Sequence, residues 1–440
     1  MIWLDLVVVL ACIIVGARLG GIGLGTVAAL GLSFFVFGLG RAPGQFPGEV
    51  LLIVLCVVTL AAALQAAGGL DLMVSVAENA LRRHPRQITL LAPLISYLFT
   101  FVSGTGHVSY SLLPIIAEVS RKVKERPERP LSISVIASQA AVTASPMSAA
   151  TAGMVALLSR EGRFGLTDIL LVCIPSTLIG VLAGALAVKK MGVELEEDPV
   201  YRQRLARGGV ASEASVQTRS VPRGAMWSVL LFLGAVVLIT SLGLAPGLRP
   251  DFIADGKPVK LSMVFSISLV TLAATALILF VSKVKPEAVV SGSVMKACIV
   301  AVISILGIAW LGSTFFESHR AEILGAMSAY VQQHPWLFSF ALFLLSILLY
   351  SQAATVAALM PVGLQLGVAP PLMIAMFPAV NGYFFLPTYA TVVAAIQFDS
   401  TGTTGIGRWV LNHSFMRAGL VTTAVSLIVG FLLARAVYGG

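Results

Sequence analysis

Charged residues are scarce in this chain. Only 11% of its 440 residues are Asp, Glu, Lys or Arg, whereas 58% are hydrophobic and the mean hydropathy is +0.95. A soluble globular domain carries roughly 25% charged residues, so this composition indicates a protein embedded in a lipid bilayer. The net charge of +9 does not indicate a nucleic-acid partner, because basic residues collect on cytoplasmic loops of membrane proteins and a basic–aromatic pattern is lacking.

Cysteine clusters and enzyme motifs are lacking as well. The four cysteines lie in separate apolar runs without C-x-x-C spacing, which favours small buried side chains over a disulfide or metal site. The chain has no H-E-x-x-H, P-loop or G-x-S-x-G motif. We therefore expect no catalytic residue, no metal and no cofactor. The first residues lack the basic region and cleavage site of a signal peptide, which favours a retained first span.

The chain is instead rich in apolar runs of about 20 residues, the length that crosses a bilayer. These runs predict an all-α polytopic membrane protein of two halves, 1–188 and 224–440, joined by a polar cytoplasmic linker at 189–223. Each half has three spans, an interfacial helix, a segment broken in its middle and two more spans. The predicted segments are 2–67, 68–84, 88–120, 131–158 and 167–188 in the first half, and 224–311, 314–334, 335–366, 370–398 and 416–438 in the second.

Basic residues around the first broken segment predict its topology. Three arginines precede residues 88–120, and five further bases follow within 121–129. Because Lys and Arg concentrate on the cytoplasmic side, both ends of this segment should lie there, which predicts a re-entrant hairpin. Each half then has five spans, and the second half is inverted, with its own hairpin at 335–366. Placing both termini outside puts 21 of the 29 Lys and Arg residues inside.

Polar helix breaks occur at matching places in the two halves. Each half has one hydroxyl-rich break in its hairpin and one proline-centred break in the next span, at 144–148 and 386–389. Polar backbone at membrane depth lines a water- or substrate-filled site, and helices that begin there direct N–H groups at it. The pattern predicts a transporter of two inverted repeats. The candidate substrate-binding residues are Ser103, Thr105, Gly106, His107, Ser109, Ser145, Ser148, Ser351, Gln352, Thr355, Thr388, Tyr389 and Thr391.

No Asp or Glu lies in either hairpin core or in either break. A cationic substrate would usually require a buried carboxylate, so the site favours an anion or a neutral molecule. Two alternatives stay open. Individual Ser and Thr side chains could bond to their own helix backbone or pack helices together. His107 could contact a substrate carboxylate, carry a proton or stay neutral on a tip carbonyl.

Three further patterns have plainer interpretations. The words 138–141 and 351–354 are both SQAA, but they are not equivalent when the halves are aligned, and we interpret the identity as chance. The run 399–405 is expected to cap the end of a span, with partner docking as the alternative. Solvated or helix-capping roles are expected for the remaining histidines, which are His84, His319, His334 and His413.

Several short sequence motifs match one protein family, in the same order along the chain and with few gaps. The chain resembles the Dcu family of bacterial anaerobic C4-dicarboxylate transporters from its first span to its last, least of all in the linker. The matching words are Gly16–Gly21 (GARLGG), Gly104–Ile116 (GTGHVSYSLLPII), Arg126–Pro130 (RPERP), Ala144–Ser148 (ASPMS), Ser351–Ala354 (SQAA), Leu386–Tyr389 (LPTY), Ala394–Asp399 (AAIQFD), Gly402–Thr404 (GTT) and Asn412–Phe415 (NHSF).

The resemblance implies exchange of fumarate, malate or aspartate for succinate across the bacterial inner membrane, with periplasmic termini. It also implies a homodimer with an elevator mechanism, in which a transport domain carrying both hairpins slides against a scaffold of residues 2–67 and 224–311. Some Dcu carriers resemble co-sensors, which adds a membrane sensor kinase as a candidate partner. Sodium-coupled relatives carry Ser-Asn-Thr at the hairpin tips, whereas this chain has GTGH at 104–107 and QAAT at 352–355, which argues against such a sodium site.

Other functions stay open beside the antiporter. A proton- or sodium-coupled symporter of C4-dicarboxylates would use the same site. A membrane-embedded enzyme would need an acid–base pair or a metal cluster at membrane depth, where only His107 offers a titratable group. A sensory partner without transport would keep signalling after substitution of the tips.

Overall fold

The fold is almost entirely helical, as expected for a chain that must satisfy its backbone groups within lipid. The computed structural model describes residues 2–19, 22–44, 46–159, 164–207, 224–254, 257–319, 321–322, 333–349, 351–387, 389–407 and 411–439. Its helices are α1 (Ile2–Leu19), α2 (Gly23–Ser33), α3 (Gly48–Ala66), α4 (Gly69–Arg83), α5 (Ile88–Ser103), α6 (Ser109–Lys122), α7 (Glu128–Val142), α8 (Ala149–Leu158), α9 (Leu166–Val188), α10 (Pro199–Ala206), α11 (Ala225–Leu244), α12 (Met263–Ser282), α13 (Pro286–Ser291), α14 (Ser293–Ser318), α15 (Phe338–Leu349), α16 (Gln352–Gln365), α17 (Pro370–Met376), α18 (Ala390–Phe398) and α19 (Ser414–Tyr438).

Shorter elements connect these helices. The strands β1 (Asp251–Ala254) and β2 (Lys257–Lys260) form an antiparallel pair between α11 and α12, with Phe252 opposite Val259. A π-helical segment, Phe34–Gly38, extends α2. The 3-10 segments are Pro85–Gln87, Gly106–Val108, Leu195–Glu197, Pro246–Leu248, Pro335–Leu337 and Phe377–Phe384.

Among the described residues, six helices are long and apolar enough to cross a membrane. They are Pro85–Ser103, Leu166–Val188, Ala225–Gly243, Met263–Ser282, Val294–Ser318 and Ser414–Tyr438. The first of them is a limb of the predicted hairpin at 88–120, so length alone does not distinguish a limb from a span. The total of ten spans stays a prediction.

The helix α4 lies where the interfacial helix was predicted. A bend of 69° separates it from α3. Gly68 lies at this bend with φ +78°, a left-handed conformation that costs glycine little. The bend therefore occurs where the sequence allows the chain to change direction.

All four predicted helix breaks are present. The helices α5 and α6 are separated by the polar turn 104–108, and α16 begins directly after Ser351. The helix α7 ends at Val142, and α8 begins at Ala149. In the second half, a 3-10 segment follows α17, and α18 begins only at Ala390. Re-entrant paths and inverted symmetry stay predictions.

Close helix packing holds α2 against α14. A Cβ atom on Gly25 would lie 2.0 Å from the carbonyl oxygen of Ile303, and one on Gly307 would lie 2.0 Å from the carbonyl oxygen of Gly25. Such close backbone approach is how helices associate in lipid, where burial of apolar surface supplies little driving force.

A buried ionic cluster joins α1, the loop after α2 and the end of α14. The Nε2 atom of His319 lies 2.7 Å from Oδ2 of Asp5, and Nη2 of Arg41 donates to the same oxygen at 3.0 Å. Asp5 is fully buried, and His319 is 4% exposed. His319 is therefore not solvated, because its ring lies buried against Asp5 of α1, but it does occupy the C-cap position of α14, which is one of the two expected roles.

The predicted linker 189–223 is folded in its first part. Arg129, buried on α7, donates to the carbonyl oxygens of Met191 and Gly192 and to Glu194. Arg126 donates to Asp198 at 2.5 Å. These contacts attach residues 191–198 to the loop before α7. Residues 208–223 lie outside the described residues.

Candidate binding site between the helix breaks

The first hairpin tip packs directly on the first proline-centred break. Gly104 ends α5 with φ +74°, and a Cβ atom there would lie 2.1 Å from the carbonyl oxygen of Met147. The Ser145 hydroxyl donates to the carbonyl oxygen of Phe101 at 2.6 Å and accepts from Met147 N. The first tip and the first proline-centred break are therefore in contact, as the sequence predicted, and their role in one substrate site stays a prediction.

Most candidate hydroxyl groups bond to nearby backbone. This is the alternative that the sequence left open, and it means that these residues build the tips. Ser351 caps α16 by accepting from Ala354 N at 3.2 Å. The remaining bonds run from Ser103 to Thr105 O (3.3 Å), from Ser109 to Gly106 O (2.7 Å), from Ser148 to Val142 O (2.6 Å) and from Thr355 to Ser351 O (2.9 Å).

A buried amide network connects elements of both halves. The Nε2 group of Gln352 donates to Oε1 of Gln139 at 2.8 Å and to Oδ1 of Asn381 at 3.2 Å. The Nδ2 group of Asn381 donates to the carbonyl oxygen of Pro378 at 3.2 Å. Gln139 lies on α7, Gln352 begins α16, and Asn381 lies in the 3-10 segment after α17. All three residues are buried.

Sequence reasoning identified Gln352 but missed Gln139 and Asn381. The repeated word SQAA contained a signal, since its two glutamines contact each other. The two SQAA segments occupy non-equivalent places in the halves, so their identity does not reflect the repeat. Interpreting it as chance nevertheless misses the contact between their glutamines. A second signal was spacing, because Gln139 lies seven residues before Pro146 and Asn381 six before Pro387.

The first hairpin tip also packs against this amide network. A Cβ atom on Gly106 would lie 2.2 Å from Nε2 of Gln139. The Ser138 hydroxyl donates to the carbonyl oxygen of Gly106 at 3.2 Å, and it lies 2.9 Å from the Thr100 hydroxyl oxygen. Gly106 is therefore a close-approach position, and Ser138 and Thr100 are further residues that the sequence did not single out.

The remaining candidate residues differ in their surroundings. Thr391 is fully buried near the start of α18, and its hydroxyl oxygen has no hydrogen-bond partner in the described part of the chain. The ring of Tyr389 lies 4.6 Å, centroid to centroid, from that of Tyr383. Thr105 makes further polar contacts. Thr388 and the side chain of His107 lie outside the described residues.

The loop after α18 closes on itself. Asp399 is buried, accepts from the backbone N–H groups of Thr401 (2.9 Å) and Thr404 (2.7 Å), and accepts from the Thr403 hydroxyl at 2.9 Å. Asp399 occupies the C-cap position of α18, but these bonds stay within the loop, so the capping role expected for 399–405 stays a prediction. Partner docking by this loop stays untested.

Among the described residues, the polar groups at the site are neutral hydrogen-bonding groups. The helices α6, α8, α16 and α18 all begin at the four breaks, and a helix N-terminus favours an anion. Amide donors and helix N-termini together suit a carboxylate, which only accepts hydrogen bonds when ionised. Within the described ranges, no three His, Cys, Asp or Glu side chains are grouped so that they could hold a metal.

Comparison with known sequences gives matches over essentially the full length. The chain matches a family model described as "Anaerobic c4-dicarboxylate membrane transporter" over residues 1–438. It is 41% identical to C4-dicarboxylate transporter DcuA of Wolinella succinogenes over 99% of both chains. It is 40% identical to anaerobic C4-dicarboxylate transporter DcuB of Escherichia coli O6:H1, again over 99% of both. The identity to C4-dicarboxylate transporter DcuA of Escherichia coli K12 is 41%, over 98% of this chain and 99% of the relative.

Two solved structures share the fold. The Alcanivorax borkumensis YdaH transporter aligns with a TM-score of 0.55 at 18% identity, over 99% of this chain and 97% of that chain. The Neisseria gonorrhoeae MtrF structure aligns with a TM-score of 0.56 at 14% identity, over 93% of this chain and 85% of that chain. At these identities the likeness concerns the fold alone.

Proposed function

Because the chain belongs to the DcuA/DcuB family of anaerobic C4-dicarboxylate membrane transporters, we propose that it is an antiporter of the bacterial inner membrane. It takes in fumarate, malate or aspartate and releases succinate. Its curated relatives are transporters, and the chain is a transporter rather than an enzyme.

The amide network is the observation that carries this proposal. It gathers Gln139, Gln352 and Asn381 where the first hairpin tip meets α7 and α16. Neutral donors and helix N-termini can bind a carboxylate without holding it as tightly as a buried cation would. A carrier must release what it binds, so a site of this kind suits reversible exchange of dicarboxylates.

An elevator movement is part of the proposal. The network and the Ser145–Phe101 contact join the segments 88–120, 131–158, 335–366 and 370–398, which supports their moving as one transport domain. The scaffold would be 2–67 and 224–311, in a homodimer with periplasmic termini and a cytoplasmic linker. A sensor kinase partner rests on family resemblance alone.

Exchange in proteoliposomes tests the proposed function. Vesicles loaded with labelled succinate should release the label when fumarate, malate or aspartate is added outside, and not when buffer alone is added. Failure of all three to release label would contradict antiport. Uptake into vesicles without internal dicarboxylate, driven by an imposed proton or sodium gradient, would instead establish the symporter.

A further inference from the structure

We propose that Gln139 contacts the substrate directly, with its Nε2 group donating a hydrogen bond to one carboxylate of the dicarboxylate. The inference rests on the proposed function and adds a recognition residue that lies in neither a hairpin tip nor a break. Gln352 and Asn381 act through Gln139 as positioning residues.

The orientation of the Gln139 amide follows from the chain of hydrogen bonds. The carbonyl oxygen of Pro378 can only accept, so the Asn381 atom 3.2 Å from it is Nδ2, and Oδ1 faces Gln352. The Oδ1 atom of Asn381 can only accept, so the Gln352 atom that faces it is the Nε2 donor. The same Nε2 group also donates to Gln139. The atom of Gln139 that accepts must be Oε1. Its Nε2 group therefore points away from the network.

That Nε2 group is a buried donor without an acceptor. Gln139 is 1% exposed, and its Nε2 atom has no hydrogen-bond partner in the described parts of the chain. Buried donors in folded proteins are nearly always paired, because an unpaired one loses its hydration without compensation. The three-residue network prevents the amide from turning to find another partner. A ligand oxygen would satisfy it.

The surroundings of Gln139 indicate what kind of ligand this is. No Asp, Glu, Lys or Arg lies in 88–117, 131–158, 335–366 or 370–398, so neither repulsion nor a salt bridge competes for an incoming carboxylate. The first hairpin tip presses on the same amide through Gly106. A substrate oxygen would therefore reach this donor by taking the place of the tip backbone at Gly106.

Substitution of Gln139 by leucine tests the contact, since leucine keeps the volume and removes the donor. We expect Gln139→Leu to raise the KM for succinate about ten-fold or more, with the maximal exchange rate changed less. The matched control is Gln65→Leu, in which the lost group accepts from Val294 N between α3 and α14. This control should leave KM unchanged.

A second comparison separates contact from packing. If Asn381 acts through Gln139, Asn381→Ala should raise KM on its own but add nothing to Gln139→Leu, whereas independent structural effects would add. The same-sized variant Gln139→Glu places a carboxylate against the substrate and should abolish the rise in Tm that succinate gives the wild-type protein.

The outcomes are distinguishable from failure of the proposed function. If the wild-type protein does not exchange dicarboxylates, the proposed function fails and Gln139 is irrelevant to it. If the wild-type protein exchanges succinate, and Gln139→Leu and Gln139→Glu keep its KM and its succinate-induced rise in Tm, then the inference about Gln139 is wrong. Additive effects of Asn381→Ala and Gln139→Leu would likewise overturn it.

Discussion

The polar side chains around the helix breaks differ in how much hydrogen-bonding capacity they have left. Ser109, Ser148 and Thr355 each donate to a backbone carbonyl within their own tip or break. Thr391 is equally buried, but its hydroxyl has no partner in the part of the chain that the structure describes. Its helix, α18, contacts both α6 and α7. The first tip lies directly before α6, and Gln139 lies on α7. We therefore infer that this hydroxyl is a candidate hydrogen-bond donor to a ligand.

Replacing Thr391 by valine tests this availability. The shape is nearly kept while the hydroxyl is lost, so we expect Thr391→Val to raise the KM for succinate several-fold to about ten-fold. The control is Thr275→Val on α12, where the hydroxyl donates to the carbonyl oxygen of Thr271 in the predicted scaffold. KM values are measured by exchange in proteoliposomes. An unchanged KM together with a higher Tm would mean that Thr391 only packs.

At the scale of elements, glycine decides how closely α2 and α14 pack. The space beside Gly307 is filled by the backbone of Gly25, which cannot yield as a flexible side chain can. Gly234 on α11, by contrast, has open space on the side where a Cβ atom would lie, with no atom within 4 Å of that position. The same substitution should therefore have opposite consequences on two apolar helices.

We expect Gly307→Ala to lower the free energy of unfolding by about 1–3 kcal/mol, because the helices must separate to admit the methyl group. Gly234→Ala should be neutral or slightly stabilising, since alanine favours a helix more than glycine does. Thermal unfolding of both variants in one detergent compares them. Equal Tm values would show that the α2–α14 contact tolerates separation.

We expect the attachment of linker residues 191–198 to the start of α7 and the loop before it to depend on pH. Burial alone would raise the pKa of Asp198, but hydrogen bonds from the Tyr201 N–H and from the Arg126 guanidinium outweigh it and lower that pKa. A carboxyl group with a lowered pKa stabilises the folded form above its unfolded value of about 3.9. This contribution is lost as pH falls through the folded pKa.

A nitroxide at Gln203→Cys on α10 should report this change. We expect a slow, restricted probe at pH 7 and an increasingly mobile one as the pH is lowered from about 4 through the lowered pKa of Asp198. Asp198→Asn removes the charge, so its probe should already be more mobile at pH 7 and should respond less to acid. A probe that is equally restricted at both pH values would show that the segment is held by other contacts.

At the scale of the whole molecule, the sequence predicted the path of the chain better than its contacts. Apolar runs placed most helices to within a few residues, because hydropathy and length decide which segments enter lipid, although α14 continues to Ser318, past the predicted end at 311. Proline and glycine marked three of the four breaks, and polar residues marked the one at Ser351. The contacts between Gln139, Gln352 and Asn381, and between Asp5 and His319, join residues 29 to 314 positions apart. Such pairs depend on how helices pack, which periodicity does not encode.

Resemblance to the Dcu family predicted the function more specifically than the residue patterns did. The helix breaks and the lack of carboxylates within them indicated an anionic or neutral substrate. The motifs shared with the Dcu family, in the same order along the chain, indicated C4-dicarboxylates. Resemblance did not identify Gln139 or Asn381, because Gln139 lies on α7 and Asn381 lies in the 3-10 segment after α17, outside the short motifs that match the family.

The neutrality of the amide network has an electrical consequence. Gln139, Gln352 and Asn381 carry no charge, so a bound dianion crosses the membrane with both of its charges uncompensated by them. One-way uptake would then work against a potential that is negative inside, at about 2.3 kcal/mol per charge for each 100 mV. One dianion returning for each dianion entering cancels that cost. One-for-one exchange of dianions is thus the mode in which a carrier with an uncharged amide network becomes indifferent to membrane voltage.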